Sequence, residues 1–195
     1  MQPILIVGFQ RSGTTLLRRL VSMHPDLKYN LMHETWKLNL VSTAHEAIST
    51  IHDGDSRIEA GEKIAYINPD PMMRYMARWR RFWPESLVIH IVRGLDAVIE
   101  SNVRTFDKDP DMIKMQYSRA QESMYKADVY TIQYEALCQY PESELSRLYA
   151  CIGSIPDKVY MDRVLHEQYP WGYNGRTMMG LKYRDHVGNG VGVIS

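Results

Sequence analysis

Apolar and polar positions fall in blocks along this chain, and the blocks change period. The first, PILIVGF at 3–9, is apolar without a break. A strand with one wet face would alternate, so an unbroken run predicts a strand buried on both faces. Over 13–23 the period lengthens: Leu16, Leu17, Leu20 and Val21 share one helical face, and Arg18 and Arg19 fall opposite as solvated charges. HPD at 24–26 ends that helix. A helix over 36–52, closed by a turn at 53–55, leads to a strand in KIAYIN (63–68) and a helix from Pro71 to about Phe82. SLVIHIV (86–92) is the strongest strand signal after the first. Helices over 95–105 and 111–126 follow, then a strand in DVYTIQY (128–134). The last helix, about 142–151, has Leu145, Leu148 and Tyr149 on its apolar face.

Strand and helix in alternation predict an α/β fold, with a central parallel sheet of about four to five strands flanked by helices. No internal repeat, low-complexity tract or linker interrupts the pattern. Residues 1–195 therefore read as one domain, whose end at about 169–195 is loop-rich. In such sheets ligands bind beyond the carboxyl ends of the strands, at the topological switch point. Chemistry is to be sought in the residues that follow each strand.

Charge narrows the classes of partner. Lys plus Arg number 23 and Asp plus Glu number 23, so no global basic field draws the chain to nucleic acid or an anionic membrane. Arg78, Arg80 and Arg81, with Trp79 and Trp83, read as the polar side of an amphipathic helix rather than a nucleic-acid patch. Met73, Met76 and Ala77 then face inward. Cys138 and Cys151 match no metal or redox spacing, and both read as buried free thiols. His33-Glu34 and His45-Glu46 lack the second histidine of a helical zinc site, so no metal is expected. No segment has the length of a membrane span, and the apolar start lacks the charged beginning of a signal peptide. The expected location is the cytoplasm.

The loop after the first strand carries the strongest chemical signal. GFQRSGTTLL (8–17) has the glycine spacing of a phosphate-binding loop, in Gly8 and Gly13, with Thr15 at the Ser/Thr position. Thr14 stands where such loops carry lysine, and the cation is Arg11 instead. Backbone N–H groups, a helix N-terminus, Arg11 and the hydroxyls of Ser12, Thr14 and Thr15 all suit an anion. A plain Ser/Thr helix cap would need only one of these features. Nucleotide-triphosphate enzymes also hold Mg²⁺ with an acidic residue ending another strand. Here SLVIHIV ends in Arg93, which repels Mg²⁺ and attracts a second anionic group. Ser101 follows eight residues on, about two helical turns.

These residues together resemble the sulfotransferases that use PAPS (3′-phosphoadenosine-5′-phosphosulfate), a family with a three-layer, P-loop-like fold. Arg11-Ser12-Gly13-Thr14-Thr15 is similar to the family's 5′-phosphosulfate loop, Arg93 and Ser101 to its 3′-phosphate pair, and Tyr134-Glu135-Ala136-Leu137 to its Y-E-x-L segment near the adenine. RSGTTLLRRLVSMHPDL (11–27) and FWPESLVIHIVRG (82–94) are most like the tyrosylprotein sulfotransferase branch and its bacterial relatives. The likeness runs over roughly residues 3–155 in the same order.

The resemblance implies a sulfotransferase that moves a sulfuryl group from PAPS to a hydroxyl acceptor, leaving PAP (3′,5′-phosphoadenosine). Arg11, Ser12, Gly13, Thr14 and Thr15 would take the 5′-phosphosulfate, Arg93 and Ser101 the 3′-phosphate, and Tyr134 the adenine side. By position, Glu34 in MHETW (32–36) is the candidate base, set against the ordinary role of a surface or capping carboxylate. His33 is a second candidate. Arg74 stands near a lysine that in the related branch steadies the transferring group. Lys182 and Arg184, in the glycine-containing stretch 175–190, are candidates to close over the 3′-phosphate. Two other readings stay open: a small-molecule kinase with a P-loop, and a PAP- or PAPS-binding protein without transfer activity. The acceptor and the oligomeric state are not encoded in any motif.

Overall fold

The computed structural model describes residues 4–24, 65–68, 80–81, 84–125, 127–153 and 155–166. By their contacts these divide between two compact units, Met1–Thr131 and Ile132–Ser195.

In the first unit the chain opens on β1 (Ile4–Gly8), buried at every position as an uninterrupted apolar run requires. Helix α1 (Thr14–Ser22) follows, then β2 (Ala65–Asn68) and β3 (Val88–Val92). All three strands are parallel. Ile4 pairs with Ala65 and Leu5 with Tyr66 on one side of β1, and Leu5 pairs with Val88 and Val7 with His90 on the other. The chain therefore places its first strand in the middle, runs to one side for β2 and crosses over for β3. That reversal makes the carboxyl ends of β1 and β3 a switch point.

Helices α2 (Leu95–Phe106) and α3 (Pro110–Tyr125) follow in this unit. Asp96 in the first turn of α2 and Arg104 in the last complement its dipole. Leu5, Val7 and Val88 share one face of the sheet, where they form a core with Val98 of α2 and Ile113, Tyr117, Ala120 and Met124 of α3. The opposite face meets α1, whose Leu16, Leu17, Leu20 and Val21 are all fully buried. Helices thus lie on both faces, as the α/β pattern predicts.

Strand β4 (Tyr130–Gln133) carries the chain from the first unit into the second. There α4 (Tyr134–Gln139) passes through Tyr140 into α5 (Pro141–Ile152), with proline at the first helical position, where its missing N–H costs nothing. Helix α6 (Lys158–His166) starts where Asp157 Oδ1 accepts from the Tyr160 N–H at 2.8 Å. Leu145, Leu148, Tyr149 and Ile152 are buried on α5, and Met161, Val164 and Leu165 on α6.

Three local expectations are corrected. Arg80 is not a solvated charge: it is half-buried and donates to the carbonyls of Pro84 (3.2 Å), Ser86 (2.8 Å) and Asp128. A five-donor guanidinium can bind three carbonyls on two stretches of backbone where a helix face alone would predict solvent. Arg18 is half-buried as well. Cys151 is exposed, because it lies off the face that Leu148 and Ile152 bury, whereas Cys138 is buried as expected.

Candidate functional site

The loop between β1 and α1 is shaped from both ends. Gly8, the last residue of β1, has no room for a side chain: a Cβ there would stand 2.8 Å from the Thr14 methyl, 2.8 Å from Ile91 Cγ2 and 2.9 Å from the Ile91 carbonyl. Its missing side chain lets the start of α1 lie directly on the sheet. Phe9 is buried and meets the Tyr117 ring edge-on, centroids 5.3 Å apart. The Ser12 N–H then donates to the Phe9 carbonyl at 3.0 Å and tightens the turn. Two residues take left-handed backbone, Arg11 at φ 71° and Gly13 at φ 98°. Glycine does so freely, while a non-glycine residue there has to be held in place. The N–H groups of the first turn of α1 have no partners within the helix.

The turn after β3 meets this loop. Arg11 Nε donates to Ser101 Oγ at 3.0 Å, and Arg93 Nη1 donates to the Arg11 carbonyl at 3.0 Å. Tyr117 holds Arg93 from behind, its hydroxyl donating to the Arg93 carbonyl at 2.6 Å. Asn102 Nδ2 donates to the Gln10 carbonyl at 3.2 Å and to the Val98 carbonyl at 2.9 Å. Lys108 Nζ donates to Gln10 Oε1 and lies 5.3 Å from the centre of the Phe106 ring. Arg93 and Ser101 are only 5% and 3% exposed, and Ser12 is fully buried. Among the described residues Ser12 Oγ has no hydrogen-bond partner, so a buried hydroxyl in the middle of the loop is left over.

Of the residues singled out from the sequence, Arg11 through Thr15, Arg93 and Ser101 converge at the ends of β1 and β3. Tyr134 opens α4 and is buried in the second unit. Glu34, His33, Arg74, Lys182 and Arg184 lie outside the described residues. Gln10, Asn102, Lys108 and Tyr117 join the site without any motif to mark them. Only the adjacency of Asn102 to Ser101 points that way in the sequence.

On β3, three residues before Arg93, His90 is buried, and loss of solvent pushes its pKa down to about 4. It stays neutral near pH 7 and adds no charge behind the site. The arrangement therefore joins two guanidinium groups, the hydroxyls of Ser12, Thr14, Thr15 and Ser101, and a helix N-terminus at one end of the sheet. That is chemistry for holding two anionic groups at neighbouring places. Among the described residues no cluster of His, Cys, Asp or Glu is set to hold a metal ion, and no helix is long and apolar enough to cross a membrane.

Comparison with known proteins gives three kinds of match. Residues 3–71 match the model of the sulfotransferase family. A Caenorhabditis briggsae protein, provisionally named a protein-tyrosine sulfotransferase, is 25% identical over 200 residues, covering 85% of this chain and 69% of its own. The sulfotransferase domain of the Synechococcus PCC 7002 olefin synthase superposes with a TM-score of 0.63 at 17% identity, covering 92% of this chain and 80% of that domain. Mouse sulfotransferase SULT7A1, solved with PAP bound, superposes with a TM-score of 0.53 at 15% identity, covering 83% of this chain and 62% of that one. The resemblance carried by the loop residues is borne out in sequence by the first two matches and in fold by the others.

Proposed function

We propose that this chain, a sulfotransferase by its sequence resemblance and its fold, moves a sulfuryl group from PAPS to a hydroxyl acceptor. One observation carries the donor assignment: the cations ending β1 and β3 are tied together through Arg11 Nε–Ser101 Oγ and Arg93 Nη1–Arg11 O, each at 3.0 Å. PAPS carries its anions at two separated places, which suits two joined cationic strand ends better than ATP with Mg²⁺ does. The buried, unclaimed Ser12 hydroxyl suits the loop's anion. The PAP held by the mouse neighbour supports the same donor, and the name of the nematode relative supports a hydroxyl acceptor.

In this reading Ser12, Thr14, Thr15 and the free N–H groups of α1 grip the 5′-phosphosulfate. Arg11 offsets charge on the oxygens of the sulfuryl group as it leaves. Arg93 and Ser101 hold the 3′-phosphate, Tyr134 serves the adenine side, and Lys182 and Arg184 close over the nucleotide. Glu34 takes the proton from the acceptor hydroxyl, His33 is the second candidate for that role, and Arg74 steadies the transferring group. The acceptor oxygen forms its bond to sulfur as the bond from sulfur to the phosphate oxygen breaks, giving PAP and a sulfate ester. Positioning and charge stabilisation supply most of the rate in such transfers.

Thermal melting with and without PAP tests the donor. Saturating PAP at about a hundred times its Kd adds about 2.7 kcal/mol of stability and raises the melting temperature, and ATP with Mg²⁺ does not match it. Equal or greater stabilisation by ATP with Mg²⁺ would reverse the assignment in favour of a kinase.

A further inference from the structure

Asn102 makes a contact that neither anion site needs for its own ligand. It is fully buried on α2, one residue past Ser101. A carboxamide NH₂ has two hydrogens to donate. One goes to the Val98 carbonyl, a turn back in the same helix, at 2.9 Å; the other leaves the helix for the Gln10 carbonyl at 3.2 Å.

The Gln10 carbonyl belongs to the peptide that enters Arg11, and the Arg11 carbonyl belongs to the peptide that leaves it. Asn102 holds the first and Arg93 the second. Between them stands the one loop residue that is not glycine and has left-handed backbone, φ 71°. Turning Arg11 back to an ordinary φ rotates one of these two peptides and breaks its hydrogen bond. From the left-handed conformation the Arg11 side chain reaches Ser101.

We propose that Asn102 is a positioning residue: by clamping the Gln10 carbonyl it fixes the left-handed turn at Arg11 and keeps the β1–α1 loop in its anion-receiving shape. It acts through Arg11 and touches no ligand. This rests on the donor reading above, in which the loop holds the 5′ anion and the turn after β3 holds the 3′ anion.

The discriminating variant is Asn102→Ser. A helical serine can bond the carbonyl four residues back, so it keeps the Val98 contact while falling short of Gln10. Asn102→Ala, which removes both contacts, is the companion; Asn102→Ser keeps the test open if the alanine variant does not fold. Calorimetric titration with PAP, adenosine 5′-monophosphate and adenosine 3′-monophosphate reads the two sites separately. Asn102→Ser is expected to weaken PAP and the 5′-monophosphate about tenfold, the scale of one buried hydrogen bond, and to leave the 3′-monophosphate within about twofold. Unchanged binding of all three, or equal weakening of all three, overturns the positioning role while the donor reading stands. Failure of the wild-type chain to bind any of them defeats the donor reading and takes this inference with it.

Discussion

Arg11 and Ser101 stand 90 positions apart in the chain, yet the Nε of one and the Oγ of the other are 3.0 Å apart. Each closes a different strand end: Arg11 lies past β1, and Ser101 sits on the helix after β3. The two anion sites are therefore coupled through one hydrogen bond, and their variants will not add. Ser101→Ala is expected to weaken PAP binding about tenfold, and Arg11→Lys more, because an ammonium has no planar Nε–H to aim at the hydroxyl. The double variant should lose less than the sum of the two, by about 0.5–3 kcal/mol in a double-mutant cycle. Additive losses would show that the residues serve their anions independently.

Much of this arrangement was legible in the sequence, because it rests on two local signals. An unbroken apolar run followed by GFQRSGTT fixes a buried strand, a glycine turn and a helix start. SLVIHIVRG fixes a second buried strand with a cation at its end. Parallel pairing at a switch point then brings the two ends together, so Arg11 and Arg93 follow from pattern and topology, and Ser101 follows from the family resemblance. Asn102 and Tyr117 do not follow. Their contacts are to the backbone carbonyls of Gln10 and Arg93, and any residue type presents a carbonyl. The half-burial of Arg80 is hidden for the same reason, since its partners among the described residues are main-chain oxygens. Helix α6 is hidden because its apolar spacing, Met161, Val164 and Leu165, is short and follows a proline-containing turn.

Gly8 offers a test of the loop's packing. Alanine there drives its methyl to 2.8 Å from Thr14 and Ile91 side-chain carbons and 2.9 Å from a backbone carbonyl that cannot swing away. Gly8→Ala should destabilise the chain by about 1–3 kcal/mol, the usual cost of overpacking, seen as a lower urea midpoint. It should also weaken PAP binding, because Thr14 is displaced from the loop. An alanine variant as stable as the parent and equally able to bind PAP would mean that the strand end and α1 part easily.

Glu34 separates binding from transfer. If it accepts the acceptor's proton, Glu34→Gln keeps the shape and loses the base. Turnover of PAPS with a hydroxyl acceptor should fall about 10²- to 10⁴-fold, with PAP affinity unchanged. A variant that transfers at the parent's rate removes Glu34 from the mechanism and leaves His33 as the candidate to test next.

His90 gives the chain a pH dependence whose direction is set by burial. The register places it beside Val7, on the sheet face where Leu5, Val88 and Tyr117 form the core. Charging an imidazole there removes a cation from water, so its pKa falls from the ordinary 6.5 to about 4. Between those values the unfolded chain binds the proton and the folded chain does not. Stability therefore rises with pH across this window and is lost as pH falls through it. Each pH unit of the window is worth about 1.4 kcal/mol, so the full contribution is about 3 kcal/mol, of which about 2 kcal/mol is gone by pH 5. Urea unfolding at pH 7.5 and pH 5 measures it, and His90→Leu supplies the control, since leucine fills the site and cannot titrate. The loss between the two pH values should shrink in the variant by about 2 kcal/mol, carboxylates contributing equally to both proteins. Parallel losses in the two would mean that His90 is protonated in the folded state and that water reaches this face of the sheet.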